Sequence, residues 1–142
     1  MTDSSSSKSS VADADRTIFE ESLKVRYEVA GKTYVDENCS SDFARPMQEL
    51  VTEACWGSVW THEGLEHKHR SLINIAMLCA LNRSNELAMH VRGAINNGAS
   101  MVEIRETLLQ AAIYCGMPAD MEGFKVAKRV IMEMKDEKQG NY

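Results

Sequence analysis

The chain lacks any excess of positive charge. Sixteen Lys and Arg stand against 21 Asp and Glu, a formal net charge of −5. A protein that binds a phosphate backbone needs a basic face, so nucleic acid is not expected as a partner. A small anion stays compatible, because a few arginines can set the local sign inside a pocket. No apolar run is long and uninterrupted enough to span a bilayer. No basic-then-apolar leader opens the sequence, so the cytosol is the expected compartment. The four cysteines, Cys39, Cys55, Cys79 and Cys115, form no C-x-x-C pair and read as reduced, buried thiols. There is no G-x-G-x-x-G, no P-loop and no serine-hydrolase elbow, which leaves a nucleotide or nicotinamide cofactor without support. His67 and His69 point to different sides of a helix. No third ligand is near them beyond His62, so these read as surface residues and no metal is expected. Valine and isoleucine recur at helical spacing and never in strand alternation. The expected class is therefore all-α, about six helices with short connections.

What is present fits one domain. A chain of 142 residues buries a core without disulfides or metal. Residues 1–14 carry SSSSKSSVADAD and read as a disordered polar tail. A single domain is expected over 15–135, with a solvated tail, KDEKQGNY, closing the chain over 136–142. The first helix is expected from Asp15 to Ala30, with Ile18, Val25 and Val29 as its apolar stripe and Gly31 as its stop. KTYVDENCSS reads as a loop. The next helix runs to about Val59, with Met47, Leu50, Val51, Ala54 and Ser58 inward. Trp56 and Trp60, one turn apart, read either as packing or as a pocket wall. Ser100 and Glu103 form a capping box, and Pro118 opens the last helix.

The chain is organised around Leu72–Gly98, LINIAMLCALNRSNELAMHVRGAINNG. A helix from Leu65 to Leu81, apolar all round in its second half, reads as central and buried. After the polar break a second helix presents Arg83, Glu86 and His90 at i, i+3 and i+7, on one face. Two readings of Glu86 and His90 stand. One is a surface i,i+4 pair giving roughly 0.2–0.5 kcal/mol. The other is a carboxylate and imidazole able to move a proton, with Gly93 one turn on leaving room beside them. Arg83 reads either as the ion-pair partner of Glu86 or as a fork for a substrate carboxylate. Arg92 is rotated off that face and is the weaker candidate.

Three runs resemble the carboxymuconolactone decarboxylase family: DFARPMQELVTEACWGSVW, HRSLINIAMLCALNRSNELAMHVRGAINNGAS and EIRETLLQAAIYCGMPA. The likeness extends over about Arg16 to Ile131. The related AhpD-like thiol branch carries C-x-x-C-x-x-x-H on the same helix, and those cysteine positions are Arg83 and Glu86 here. The resemblance therefore implies that disulfide exchange is replaced while His90 is kept. It also implies an AhpD-like helical fold that completes its core by oligomerising, as a homo-oligomer (trimer or hexamer). The activity implied is cofactor-free decarboxylation of 4-carboxymuconolactone in the protocatechuate branch of the β-ketoadipate pathway, giving 3-oxoadipate enol-lactone and CO2. The substrate is a small dicarboxylate lactone. On this reading His90 delivers the proton, Glu86 orients it, Arg83 contacts a carboxylate or oxyanion, and Trp56 and Tyr114 are pocket walls. Another lyase or isomerase acting on a related lactone, or a non-catalytic oligomeric binding protein, are the alternatives.

Overall fold

The computed structural model describes residues 5–140, with side-chain surroundings from residue 13 on. Among them are seven α-helices, one π-helical segment and no strand, so the all-α expectation holds. The helices are α1 (Ser5–Ala30), α2 (Lys32–Cys39), α3 (Arg45–Val51), α4 (His67–Ala80), α5 (Ser84–Asn96), α6 (Met101–Cys115) and α7 (Met117–Gln139). The π segment (Thr52–Trp60) continues directly from α3. The chain divides into two compact units, residues 1–63 and 64–142.

In residues 1–63, α1 packs on the π segment and α2 bridges α1 and α3. The helix starts at Ser5, ten residues before the expected Asp15. No glycine or proline interrupts 5–30, and Asp13 accepts hydrogen bonds from Arg16 and Thr17 one turn on. The rest of the expected tail, residues 1–4, lies outside the described residues. Of the expected α1 stripe, Val29 is buried and Val25 packs against its cluster, but Ile18 is exposed; Ser22, Arg26 and Ala30 are the other buried positions. KTYVDENCSS is not a loop. Gly31 takes a left-handed φ of +88°, turning the chain, and α2 forms behind it with Val35 fully buried. Asp36 pins α2 by accepting from Tyr27 Oη at 2.9 Å and pairing with Lys32.

The expected inward stripe of the next helix also moves. Met47 and Leu50 are exposed, and the buried positions are Thr52, Trp56 and Trp60. An α period carried through 47–58 misses this because the winding changes after Val51, and π turns are wider than α turns.

In residues 64–142, α4 packs on α5 and α6, and α7 closes against α5 and α6. The core gathers Ile75 and Cys79 from α4, Leu87, Val91 and Ala94 from α5, Ile104 and Leu108 from α6, and Val126, Ala127, Val130 and Met134 from α7. The α5, α6 and α7 stripes largely follow the sequence reading, except that Cys115 is exposed. α4 departs from it: Ile73 and Met77 are exposed, so the helix buries one side only. α6 begins at the capping box, Glu103 N–H donating to Ser100 Oγ at 3.1 Å and Ser100 N–H to Glu103 Oε2 at 2.8 Å. With Lys68 beside it as well, the Glu103 carboxyl is held down at about 2. α7 continues to Gln139 with residues 136–139 exposed; residues 141 and 142 lie outside the described residues.

Candidate active site

Leu87, Val91 and Ala94 turn one side of α5 into the core, which brings His90 inward beside them. His90 is 9% exposed. Burial strips water from the imidazolium and pushes its pKa down to about 4, so the ring is neutral near pH 7. The Asn74 side-chain amide on α4 lies 3.4 Å from His90 Nδ1. With that amide donating, Nδ1 accepts and the ring carries its proton on Nε2.

Glu86 sits one turn earlier, in the first turn of α5, and is exposed. The N-terminal end of a helix favours a carboxylate there. Arg83 is not on the helix. It occupies the N-cap with φ −103° and ψ 70°, its side chain making no cap bond. The backbone N–H of Arg83 donates to Leu78 O at 2.9 Å, after Asn82 has turned the chain with φ +56°. Arg83 and Glu86 form no ion pair with each other among the described residues, so the structure does not contain the simple salt bridge. Arg83 instead lines a narrow cleft with Leu78, Cys79, Ser84, Glu122 and Gly123. Arg92 is held by Glu137 at 2.8 Å and Glu133 at 3.6 Å, tying α5 to α7.

Tyr114 is 79% exposed and borders a groove of about 670 Å³ between α4 and α6, with Leu72, Ile73, Met77 and Cys115. His90, Glu86 and Arg83 are not in its lining. Trp56 belongs to residues 1–63, stacked on Trp60 with ring centroids 4.7 Å apart. Of the candidates, then, His90 and Glu86 share a helix face and Arg83 stands at the head of that helix. Tyr114 lines the α4–α6 groove instead. His69 faces Glu66 at 3.7 Å, and no group of three or more potential ligands among the described residues could hold a metal ion.

Two polar groups escape sequence reasoning. Asn74 interrupts the apolar run LINIAML, and a lone polar residue there was the available signal. Asp120, 1% exposed, accepts from the Cys79 thiol at 3.1 Å through Oδ1, while its Oδ2 has no hydrogen-bond partner among the described residues. Burial, reinforced by Asp120, pushes the Cys79 thiol up to about 12. No spacing rule links positions 79 and 120.

Comparison with known proteins gives consistent results. A model of the carboxymuconolactone decarboxylase family matches residues 45–129. The chain is 43% identical over 129 residues to the nitrosuccinic acid decarboxylase npaB of Metarhizium robertsii, covering 89% of each chain. It is 35% identical over 122 residues to the 4-carboxymuconolactone decarboxylase of Acinetobacter baylyi, covering 84% of this chain and 91% of that one.

Proposed function

The chain belongs to the carboxymuconolactone decarboxylase family, and from that premise we propose that it is a cofactor-free carboxy-lyase acting on a small dicarboxylic acid. The observation that carries the reading is His90: a buried, neutral imidazole oriented by Asn74, with Glu86 one turn away.

The reaction class makes limited demands. The departing carboxylate must leave its electron pair in a group able to hold it. In 4-carboxymuconolactone the pair flows through the C=C bond onto the lactone carbonyl, giving a dienolate. In nitrosuccinate it flows into the nitro group, giving a nitronate. Either intermediate then takes a proton on carbon, and the substrate supplies its own electron sink. The protein has to hold the remaining carboxylate, stabilise the new oxyanion and deliver the proton.

His90 suits the last two tasks. As a neutral ring it offers an N–H to a developing oxyanion. A dianionic substrate beside it favours imidazolium and raises its pKa, so the proton arrives with the substrate. Glu86 biases that exchange, and Arg83 is the candidate carboxylate contact. Trp56 and Tyr114 remain proposed walls. The expected homo-oligomer, trimer or hexamer, is part of the same proposal; the exposed Ile73, Met77, Ile113 and Tyr114 support it, and light scattering on the purified protein tests it.

The lactone is the substrate implied by the sequence resemblance. Nitrosuccinate is favoured by the higher identity to the Metarhizium protein. Purified protein is added to each acid without cofactors and CO2 is followed. Release from one assigns the substrate. Release from neither, with binding retained, leaves a non-catalytic binding protein and overturns the proposal.

A further inference from the structure

Residues 1–63 bury a positive charge. Arg26 is 4% exposed, and it is the one Lys or Arg among the described residues that is buried. Its guanidinium donates from Nη1 to Thr52 Oγ1 at 2.9 Å, to Gln48 O at 3.3 Å and to Cys39 Sγ at 3.9 Å, and from Nη2 to Gln48 Oε1 at 2.5 Å. All four acceptors are neutral. Arg26 forms no ion pair among the described residues, whereas Arg16, Arg45, Arg92, Arg105 and Arg129, all less buried, each face a carboxylate. Nε takes part in none of these bonds.

This is an uneconomical arrangement for a purely structural residue. Guanidinium cannot shed its proton in a protein, so burial leaves a full charge to be met. Neutral acceptors meet its hydrogen bonds but not its charge, and buried charges are ordinarily paired. Tying α1 to α3 through Gln48 and to the π segment through Thr52 would need only a neutral donor. The setting is also specialised. Thr52 opens the nine-residue π segment, a winding common at functional sites. Trp56, one turn on, and Trp60 are buried against Val29 of α1, the helix that carries Arg26.

We propose that Arg26 is the anchor of a binding site for a small organic carboxylate in residues 1–63, with Thr52 and Gln48 orienting the fork. A carboxylate is the planar, singly charged group that this fork matches. One cation inside a chain of net charge −5 does not suit a polyphosphate. The site stands independently of the decarboxylation reading.

Both tryptophans of the chain belong to this cluster, so intrinsic fluorescence reports on it. Full-length protein is titrated with succinate against sodium chloride at matched ionic strength. The wild type should give a saturable change that chloride does not reproduce. Arg26→Gln should weaken succinate binding by about tenfold or more, and Arg26→Lys less, as loss of a charged hydrogen bond predicts. Gln48→Glu covers the case in which Arg26 variants fail to fold. It places a carboxylate on Nη2 from within, so it should fold, melt higher than wild type and lose the succinate response. An unchanged succinate titration in folded Arg26→Gln or in Gln48→Glu overturns the proposal. So does a wild type that ignores succinate, including one whose assembly dissociates on Arg26→Gln, which would mean that a second copy supplies the carboxylate. CO2 release is read separately: a chain that decarboxylates but ignores succinate loses this site and keeps the activity.

Discussion

The two units each bury a basic side chain, and they treat it in opposite ways. In residues 1–63 Arg26 keeps its charge among neutral acceptors. In residues 64–142 His90 gives its charge up and takes an amide hydrogen bond instead. The difference follows from intrinsic acidity. Imidazole titrates near neutrality, so burial has a cheap way out; guanidinium does not. Burial therefore makes His90 a responsive group, whose protonation follows any anion brought beside it. The same burial makes Arg26 a fixed cation that attracts the anion. On the proposed readings, one unit moves a proton and the other holds a charge.

The largest expected effect tests the first half of that contrast. His90→Ala should lower decarboxylation by about 10²-fold or more, while circular dichroism stays that of the folded protein. A variant with near-normal turnover would remove His90 from the chemistry. Asn74→Leu should have a smaller effect in the same direction, because it releases the ring without deleting it.

The pH dependence of stability follows from the same burial. The unfolded His90 titrates near 6.5 and the folded one near 4. Between those values the unfolded chain binds a proton that the folded chain refuses. Stability present above pH 6.5 is therefore lost as pH falls, the loss being complete below about pH 4. Its size is on the order of 3 kcal/mol. Glu103 adds acid sensitivity only as pH drops from 4.5 towards about 2, so urea midpoints between pH 7 and 5 isolate His90. His90→Asn should flatten that interval. An equally steep fall in His90→Asn would show that another group titrates. Arg26→Gln should leave the slope unchanged, since guanidinium does not titrate in this range.

Two glycines allow the packing of the units to be compared. A Cβ at Gly57 would meet Ser22 Oγ, and one at Gly123 would meet Cys79 Sγ and Leu108 Cδ2. Both sites let helices approach closely. Cys79 and Leu108 belong to the dense core, and Cys79 is also held by Asp120. Ser22 holds only a carbonyl of its own helix. Gly123→Ala should thus cost about 1–3 kcal/mol, and Gly57→Ala less, because Ser22 can turn away and alanine favours a helix. Equal losses in thermal unfolding would mean that the 1–63 unit is packed as rigidly as the other. The buried thiol gives a matching check. Cys79 should resist thiol reagents at pH 8 until the chain unfolds, while the exposed Cys55 reacts in the native state.

Legibility in the sequence divides along the same line. In residues 64–142 the periodicity of 87, 91 and 94 or of 104, 108 and 111 announced helices and inward faces, because those helices are regular and meet one core. Ser100 and Glu103 announced the start of α6 because capping is local. In residues 1–63 the period broke at Val51 where the winding changed, and buried polar positions replaced the apolar stripe, so Ser22 and Arg26 went unnoticed. α2 was missed because one buried residue, Val35, anchors it. His90 could be nominated from spacing, but its neutral state and Asn74 depend on how α4 packs on α5, which no local pattern encodes.

The smallest effect concerns helix starts, where the units also differ. Ser100 has an extended backbone at φ −79° and ψ 159°, and its side chain accepts from Glu103 N–H. Ser100→Ala removes that acceptor and should cost about 1 kcal/mol. Glu103 would also lose its hydroxyl partner, and with it part of what holds its carboxyl low. At the head of α3, Ala44 leaves the N-cap without a side-chain acceptor, so Ala44→Ser looks like the reciprocal gain. Ala44 is already helical, at φ −84° and ψ −18°. From that backbone a serine hydroxyl is badly placed for the following N–H groups, and capping residues prefer extended geometry. Urea unfolding of the two variants should therefore show the loss without the matching gain, Ala44→Ser staying within about 0.5 kcal/mol of wild type. A gain near 1 kcal/mol would show that α3 can rewind its first turn, and that the 1–63 unit is the more pliable of the two at its helix ends.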